Sequence, residues 1–350
     1  MREYELPLEQ VQRIVTSVRI RLARNLAAYP FPSELKAGQG DKILRIIDPV
    51  IRGIDDFKKY EMSKITQTEA LILQEQHLIS PALLRNKSCG AAYIAESVEE
   101  SDWVISLMVN EEDHLREQCI LRGDDLNKAY ELISGLDEEL GQECHFAYDE
   151  KLGYLTACPS NLGTGMWASA MLFLPGLHKD GSIKELLPQM KAMGMTIRGV
   201  FGEGSASEGY EYQVSNERTL GISEGDILSL MKSTIDDFCA LEVSARKKML
   251  EEEGAEWEDI CMRSYGLLTN CTLLRDSELT QEMANIRLGM ALGFFEAEEL
   301  ELQRFYEFIK NTRSASFFAA HARKGMSERE VDELRANYVR EHIPYLVKKP

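Results

Sequence analysis

The chain has 350 residues, of which 44% are hydrophobic and 28% charged, so it is long enough for one large or two modest domains with a sizeable core. Its 40 basic and 58 acidic residues give a net charge of −18, which disfavours general binding to DNA or anionic lipid and favours basic partners. The first residues lack an apolar signal core and no apolar run could span a bilayer, which predicts a cytoplasmic protein.

The first predicted element is a strand over residues 17–24, with the sequence SVRIRLAR. Arg19 and Arg21 alternate along it, so both side chains point to one face of a sheet and Ile20 points to the other. Two guanidinium groups on one face suit bidentate contacts with phosphate oxygens. The alternative is a solvated edge strand that uses arginine only for surface charge.

A buried strand predicted over residues 102–109 runs directly into NEEDHLR at residues 110–116. Three consecutive carboxylates cannot all point one way, so at least one should face a cleft at the end of the strand. Glu112 is the candidate for binding a guanidinium and accepting its proton, and Arg116 would face phosphates. The alternative is an acidic turn that caps the next helix, which is predicted over residues 125–140.

The segment CPSNLGTG at residues 158–165 combines a thiol with small residues whose backbone N–H groups can face an anion. The seven cysteines form no CxxC pair, which argues against a zinc module or a disulfide framework. Cys158 is the one with a distinctive neighbourhood, and its thiolate could contact a substrate cation. A structural cysteine in a tight turn is the alternative.

The next elements are predicted as a strand over 167–174, a helix over 183–193, a strand over 195–201 and an antiparallel returning strand over 210–214. Between the last two lies RGVFGEGSASEG, in which Arg198 and Glu203 flank several glycines, as in a loop that closes over substrates. A mobile hairpin loop without that role is the alternative. The spacing is not that of a dinucleotide turn, and no P-loop motif occurs.

From residue 225 onward the pattern is almost entirely helical. Ser327 and Glu330 predict a capping box at the start of the last helix. The change in pattern predicts a catalytic domain over residues 1–255 and a helical domain over residues 256–350, with a possible role in phosphoarginine binding or dimerisation. The predicted helices cover residues 225–253, 278–295, 297–313 and 327–345.

Taken together and in this order, the four motifs over residues 15–235 resemble those of the phosphagen (guanidino) kinases, and most of all the bacterial protein arginine kinases. The resemblance implies an antiparallel sheet flanked by helices, an α+β fold, followed by an all-helical C-terminal domain. Metazoan phosphagen kinases have a helical domain before the catalytic one, for which this chain has no room. The reaction implied is transfer of the γ-phosphoryl group of ATP, with Mg²⁺, to arginine.

The resemblance also implies a role for each motif residue of this chain. The residues implied to contact phosphate or nucleotide are Ser17, Arg19, Arg21, Arg116 and Arg198. Those implied to contact the guanidinium are Glu112, Glu203 and Cys158. Glu111 is implied to contact Mg²⁺ through water. The partners implied are protein substrates with exposed arginine, a zinc-finger activator, a heat-shock repressor and an AAA+ protease, in a homodimer or a larger oligomer.

Two positions depart from the family pattern. Where the family has a further phosphate-binding arginine, this chain has Trp167, which could stack on the nucleotide or fill space. An Arg-Asp-x-x-Arg-Ala string associated with an allosteric phosphoarginine site keeps Asp332 and Arg335 but begins with Val331. A protein arginine kinase, active or weakened, is therefore the first hypothesis. An impaired pseudokinase that acts as an adaptor and a kinase for a small free guanidine are the alternatives.

Overall fold

The computed structural model describes residues 14–54, 56–97, 103–199, 208–296, 299–323 and 325–348. Within these ranges every helix is too short or too polar to cross a lipid bilayer. The strands are Val15–Arg24 (β1), Lys58–Glu61 (β2), Ala91–Glu96 (β3), Trp103–Val109 (β4), Leu115–Arg122 (β5), Tyr148–Asp149 (β6), Gly153–Tyr154 (β7), Met166–Phe173 (β8), Met195–Gly199 (β9) and Glu211–Asn216 (β10).

Eight strands of the described ranges form one antiparallel sheet in the order β2-β3-β4-β5-β1-β8-β10-β9. Strand β1 therefore lies near the middle, between β5 and β8. Strands β6 and β7 form a separate two-stranded hairpin. The predicted α+β class with an antiparallel sheet is confirmed, and β9 and β10 pair across residues 200–207 as the sequence predicted.

The helices flank the sheet and make up most of the chain after it. They are Gln39–Ile54 (α1), Gln67–Glu75 (α2), Pro81–Arg85 (α3), Leu126–Cys144 (α4), Pro175–Asp180 (α5), Ser182–Ala192 (α6), Glu224–Leu268 (α7), Asp276–Ala291 (α8), Glu299–Thr312 (α9), Ser314–His321 (α10) and Glu328–Leu346 (α11). The capping box predicted at Ser327 and Glu330 is present at the start of α11.

One face of the sheet, called the back face here, carries the main core. Val18, Ile20 and Leu22 of β1 point to it and are at most 2% exposed. They pack with apolar side chains of α1, α4, α6 and α7 in one cluster. Each such burial contributes roughly 1.5–3 kcal/mol. The alternation of β1 therefore leaves its odd-numbered residues on the opposite, front face.

Two smaller clusters cover the ends of the front face and leave its centre open. Helices α2 and α3 pack over β2–β4, with Leu78, Leu83 and Met108 in the core of that cluster. At the other end Phe173 packs with the helices that follow the sheet. The two ends also meet each other, because Glu75 of α2 accepts hydrogen bonds from the first N–H groups of α10. A cleft remains between them.

The helix predicted over residues 225–253 reaches a break at the predicted place, because Glu253 has a non-helical backbone (φ −137°) and divides α7 into two helical stretches, the second of which ends at Leu268. The domain boundary predicted near this point stays a prediction. The strand predicted to end at residue 174 ends at Phe173. Pro175 then begins α5, because proline lacks only an N–H that is unpaired in a first turn. Helix α10 and strand β5 were not predicted.

Candidate active site

The arginines predicted to contact phosphate lie side by side on the front face. Arg19 and Arg21 alternate on β1, and Arg116 of β5 lies opposite Ala23 in the register. On β9 Arg198 faces Gln213 of β10. Since directly opposed residues share a face, all four guanidinium groups belong to the front face.

An open cavity of about 200 Å³ lies among these side chains. It brings together five of the predicted site residues with five that support them. The residues that line it are Arg21, Leu22, Ala23, Glu112, Asp113, Arg116, Asn161, Gly165, Trp167 and Arg198. The sequence prediction that basic and acidic groups share one cleft therefore agrees with the geometry.

The positive charges of the cleft strongly affect one another. Burial and the neighbouring Arg116 lower the pKa of Arg19 to about 10. Burial, followed by the charges of Arg19 and Arg116, lowers the pKa of Arg21 well below its ordinary value. Within the described ranges the buried Nε of Arg21 has no hydrogen-bond partner. A polyanionic ligand would neutralise these clustered positive charges and accept a hydrogen bond from the unpaired donor.

Glu111 is a counter-charge in direct contact with this cluster. Its carboxylate accepts hydrogen bonds from Arg116 Nη1 at 3.1 Å and from Ser80 Oγ at 2.6 Å. Burial by itself raises the pKa of Glu111, but Arg116 and Ser80 outweigh it and the net pKa is lowered. Arg116 therefore contacts Glu111 as well as facing the cleft, and Ser80, which the sequence did not single out, orients this pair.

Glu112 lies exposed in the cleft beside a rigid carboxylate, Asp113. Partial desolvation, followed by the charges of Asp113 and Glu111, raises the pKa of Glu112. Asp113 is buried and accepts hydrogen bonds from Asn25 Nδ2 at 2.6 Å and from the Ala157 N–H at 2.7 Å. Because Ala157 precedes Cys158, Asp113 holds the Glu112 segment beside the Cys158 segment.

Cys158 is half-buried at the start of a short 3₁₀ turn, Pro159–Asn161, and its Sγ lies 3.0 Å from Ser160 Oγ. The glycines that follow are required by close backbone approaches. Gly163 has φ +98°, and a Cβ there would lie 2.1 Å from the Thr219 carbonyl oxygen. Gly165 has φ +63°, and a Cβ there would lie 2.8 Å from the Ala23 carbonyl oxygen. The loop is thereby pressed onto the end of β1.

Trp167 occupies the position where an arginine was expected, and it lines the cleft without filling it. It lies opposite Arg21 in the pairing of β1 with β8. Its indole Nε1–H donates to Asn161 Oδ1 at 2.8 Å, which links the sheet to the Cys158 loop. The indole thus has a hydrogen-bond partner within the fold and also borders the cleft.

His77 is a candidate site residue that the sequence reasoning missed. It follows α2 with a left-handed backbone (φ 59°), and its side chain is open to solvent on the front face. Desolvation by surrounding protein, followed by the charges of Arg19 and Arg313, lowers its pKa to about 4. A neutral ring beside Arg19 suits contact with a nucleotide. A lone histidine carries no motif, so only the fold reveals it.

Other predicted residues lie away from this cavity. Ser17 shares the front face of β1 but does not line the cavity, and Glu203 falls outside the described residues. Asp332 and Arg335 lie on α11, where Arg335 is 3% exposed and donates to Asp332 Oδ1 and the Leu274 carbonyl. The contact with Leu274 ties α11 to the segment after α7. Their role with phosphoarginine stays a prediction.

The described residues contain no group of three or more His, Cys, Asp or Glu side chains that could hold a metal ion by themselves. This agrees with Mg²⁺ that is carried by a phosphate ligand, since Mg²⁺ keeps several waters and needs only one or two carboxylates. Glu111 supplies a carboxylate at the edge of the arginine cluster and fits that role.

Two family models match successive parts of the chain. Residues 41–245 match the ATP:guanido phosphotransferase C-terminal catalytic domain, and residues 255–349 match the Protein-arginine kinase McsB C-terminal domain. The protein-arginine kinase of Caldanaerobacter subterraneus subsp. tengcongensis is 36% identical over 95% of this chain and 97% of its own. That of Clostridium acetobutylicum is 37% identical over 94% of this chain and 96% of its own.

Solved structures are similar in fold. The duplicated taurocyamine kinase of Schistosoma mansoni with bound transition state analog components superposes with a TM-score of 0.61 at 23% identity. That match covers 75% of this chain but only 38% of the kinase, which is much longer. A lombricine kinase superposes with a TM-score of 0.57 at 24% identity, over 69% of this chain and 68% of its own.

Proposed function

The chain belongs to the ATP:guanido phosphotransferase family, and from that premise we propose that it transfers the γ-phosphoryl group of ATP to arginine side chains of proteins. The premise rests on the match over residues 41–245 and on relatives about 36% identical along nearly the whole chain. Those relatives are protein-arginine kinases, and the match to their C-terminal domain supports a protein as the acceptor.

One observation carries the proposal: three arginines, Arg21, Arg116 and Arg198, line a cleft that also contains the exposed Glu112. Arg19 lies beside Arg21 and Arg116 on the same face of the sheet. Arg19, Arg21, Arg116 and Arg198 are proposed to hold the triphosphate. Phosphoryl transfer needs positioning and charge neutralisation more than covalent help from the protein, and fixed guanidinium groups supply both. The unpaired Nε of Arg21 gives the phosphate a donor that the protein leaves unused.

Glu112 is proposed to act on the acceptor. An arginine guanidinium is protonated at neutral pH and is a poor nucleophile. In the proposed step a guanidinium nitrogen forms the bond to the γ-phosphorus, the bond from that phosphorus to the bridging oxygen breaks with ADP as the leaving group, and the nitrogen's proton passes to Glu112. The raised pKa of Glu112 brings it closer to that of an effective general base.

The remaining roles follow the family pattern. Cys158 and Glu203 are proposed to contact the acceptor guanidinium, and Ser17 the nucleotide. His77 and Trp167, which lie outside that pattern, are proposed to contact the nucleotide because of their positions beside Arg19 and in the cleft. When bound with ATP, Mg²⁺ would neutralise phosphate charge, and Glu111 is proposed to contact it through water.

Similarity along the whole chain favours this function over the two alternatives. An adaptor without catalysis would not need a cleft in which the arginine cluster and Glu112 are both retained. A kinase for a small free guanidine is disfavoured because the relatives that match the full length are protein-arginine kinases. Further proposals accompany this function. They are binding to a zinc-finger activator, a heat-shock repressor or an AAA+ protease, assembly into oligomers, and a cytoplasmic location.

Glu112→Gln tests the proposal directly. Incubation with [γ-³²P]ATP, Mg²⁺ and an arginine-rich histone should give acid-labile label with the wild type, since a phosphorus–nitrogen bond is formed. We expect Glu112→Gln to lower kcat by about 10²–10⁴-fold with little change in the Kd for ATP, because the amide keeps the shape but accepts no proton.

The pH profile gives a second readout of the same residue. The wild-type rate should fall on the acid side as pH drops through the raised pKa of Glu112, above the ordinary glutamate range. Exposed Glu185→Gln on α6, the matched control, should leave rate and profile unchanged. Acid-labile label that is absent in the wild type, or undiminished in Glu112→Gln, would refute the proposal.

A further inference from the structure

The β6–β7 hairpin is built into the part of the cleft where the acceptor is proposed to bind. The Tyr154 N–H donates to the Gly163 carbonyl at 2.8 Å, inside the Cys158 loop. The chain then runs from Tyr154 to Ala157, whose N–H donates to Asp113 next to Glu112. The hairpin is therefore fixed to both segments that flank the proposed acceptor position.

The tip presents apolar surface that the fold does not use. Tyr148 is 62% exposed and Leu152 is 43% exposed, at either end of the turn. The turn is held in shape, because Asp149 Oδ1 accepts hydrogen bonds from the Lys151 and Leu152 N–H groups. The Tyr148 ring also rests edge-on against Tyr154, with centroids 5.3 Å apart. An ordered aromatic ring and an aliphatic side chain provide contact area at low entropic cost.

The charge around the tip is negative. Asp149 and Glu150 are exposed on the turn, with Lys151 as the one positive charge between the two strands. At the base of the hairpin the Arg24 guanidinium lies 3.6 Å from the Tyr154 ring centroid, but it is buried and paired with Asp137. Glu224, at the start of α7, is a further acidic neighbour of Tyr154. Acidic groups around an apolar contact favour a basic partner that also carries apolar side chains.

We propose that this hairpin is a docking surface for the segment of a protein substrate that flanks the target arginine, with basic and aliphatic side chains as its preferred partners. The inference rests on the proposed function and deepens it. Once an arginine occupies the acceptor position, its neighbours in an extended chain follow at about 3.3 Å per residue and pass over the rim of the cleft. The hairpin lies beside that path, because it is joined to the Cys158 loop at Gly163 and is followed by Ala157, which contacts Asp113.

Two variants and two matched controls test the docking surface. Glu150→Lys reverses a charge and Leu152→Ala removes the aliphatic contact, and neither residue makes a side-chain hydrogen bond among the described contacts. Glu185→Lys and Leu187→Ala are the controls, since Leu187 is 40% exposed and both lie on α6 at the back face. The substrates are two short peptides with one central arginine, flanked by lysine and leucine or by glutamate and leucine.

The wild type should phosphorylate the lysine-flanked peptide with the lower KM. We expect Glu150→Lys to raise that KM about three- to tenfold and to reduce the preference over the glutamate-flanked peptide. Leu152→Ala should raise KM for both peptides by about threefold. The KM for ATP and the value of kcat should not change in either variant, because the hairpin touches neither the nucleotide nor the reacting atoms.

The outcomes separate the two claims. If the wild type labels the peptides but the hairpin variants and the α6 controls have the same KM, the docking proposal is wrong and the proposed function stands. If the wild type labels neither the peptides nor a histone, the proposed function fails and takes the docking proposal with it. A change in molecular mass by light scattering in Leu152→Ala would assign the hairpin to self-association instead, which overturns the docking proposal.

Discussion

Trp167 lines the cleft at the position where the family resemblance predicted an arginine. The indole lies opposite Arg21 and donates to Asn161, so it joins the floor of the cleft to the Cys158 loop. An arginine there would add a charge to the cluster of Arg19, Arg21, Arg116 and Arg198. Without a ligand, the tryptophan avoids the repulsion that this added charge would cause among the arginines. In the transition state, the phosphates would have one positively charged contact fewer.

Trp167→Arg should therefore raise kcat, by about tenfold or more, because a fixed donor to the transferring phosphoryl group is worth 10²–10³-fold in comparable sites. The measurement is the initial rate of acid-labile labelling at saturating ATP. Trp167→Phe is the control, since it removes the contact with Asn161 and adds no charge, and it should not raise kcat. A fall in rate in Trp167→Arg would show that the indole itself contributes to nucleotide binding.

At the scale of elements, β5 has opposite characters on its two faces. Arg116 points to the front cleft, while the next residue, Glu117, points to the back face and is fully buried against α4. Arg24 forms a buried ion pair with Asp137 of α4 at 2.8 Å. Burial, followed by the charge of Asp137, raises the pKa of Glu117 well above its ordinary value, so the folded protein favours the protonated form of this carboxyl.

The raised pKa of Glu117 makes stability depend on pH. Between the ordinary glutamate pKa and the raised pKa of the folded state, the unfolded chain loses this proton while the folded chain keeps it. The free energy of unfolding therefore falls as pH rises through that interval, by up to about 1.4 kcal/mol per pH unit. Glu117→Gln keeps a neutral donor and should remove this dependence, which makes the variant more stable than the wild type at pH 8. Urea unfolding between pH 5 and 8 measures the difference. Glu139→Gln, exposed on α4, should leave the slope unchanged, and equal slopes in all three proteins would contradict the assignment.

At the scale of the whole molecule, Arg287 of α8 joins the helices after residue 268 to the sheet. It is 6% exposed, donates to Glu211 of β10, and donates to Thr16 of β1 at 2.9 Å. Its guanidinium also lies 4.0 Å from the centroid of Phe173. Because Thr16 and Glu211 begin the two strands on either side of β8, this single side chain fixes one end of the front face.

Arg287→Ala should destabilise the fold by about 3 kcal/mol, since it leaves the carboxylate of Glu211 without its buried partner. The free energy of unfolding in urea measures the loss. Arg329→Ala is the matched control: Arg329 pairs with Glu333 but its side chain is 78% exposed, and such pairs contribute about 0–1 kcal/mol. A loss in Arg287→Ala no larger than in the control would mean that the helices and the sheet are held together by apolar packing alone.

Much of the site could be predicted from short stretches of sequence. Some features depend only on residues a few positions apart, whose geometry is set by the backbone of one element. They are the alternation of Arg19 and Arg21, the carboxylates of NEEDHLR and the capping box at Ser327. The same stretches carry the family resemblance. They fixed the class of fold and the chemistry of the cleft without any knowledge of how the elements pack.

Only the tertiary structure decided which of these groups are engaged with one another. Several contacts join residues from separate elements. Glu111 pairs with Arg116 and Ser80, and His77 lies beside Arg19. Arg335 is buried, and Glu75 caps α10. Such contacts depend on how helices and strands pack across tens or hundreds of residues. Local propensity does not determine that packing, because each contact contributes free energy only once the two elements that carry its residues have packed together.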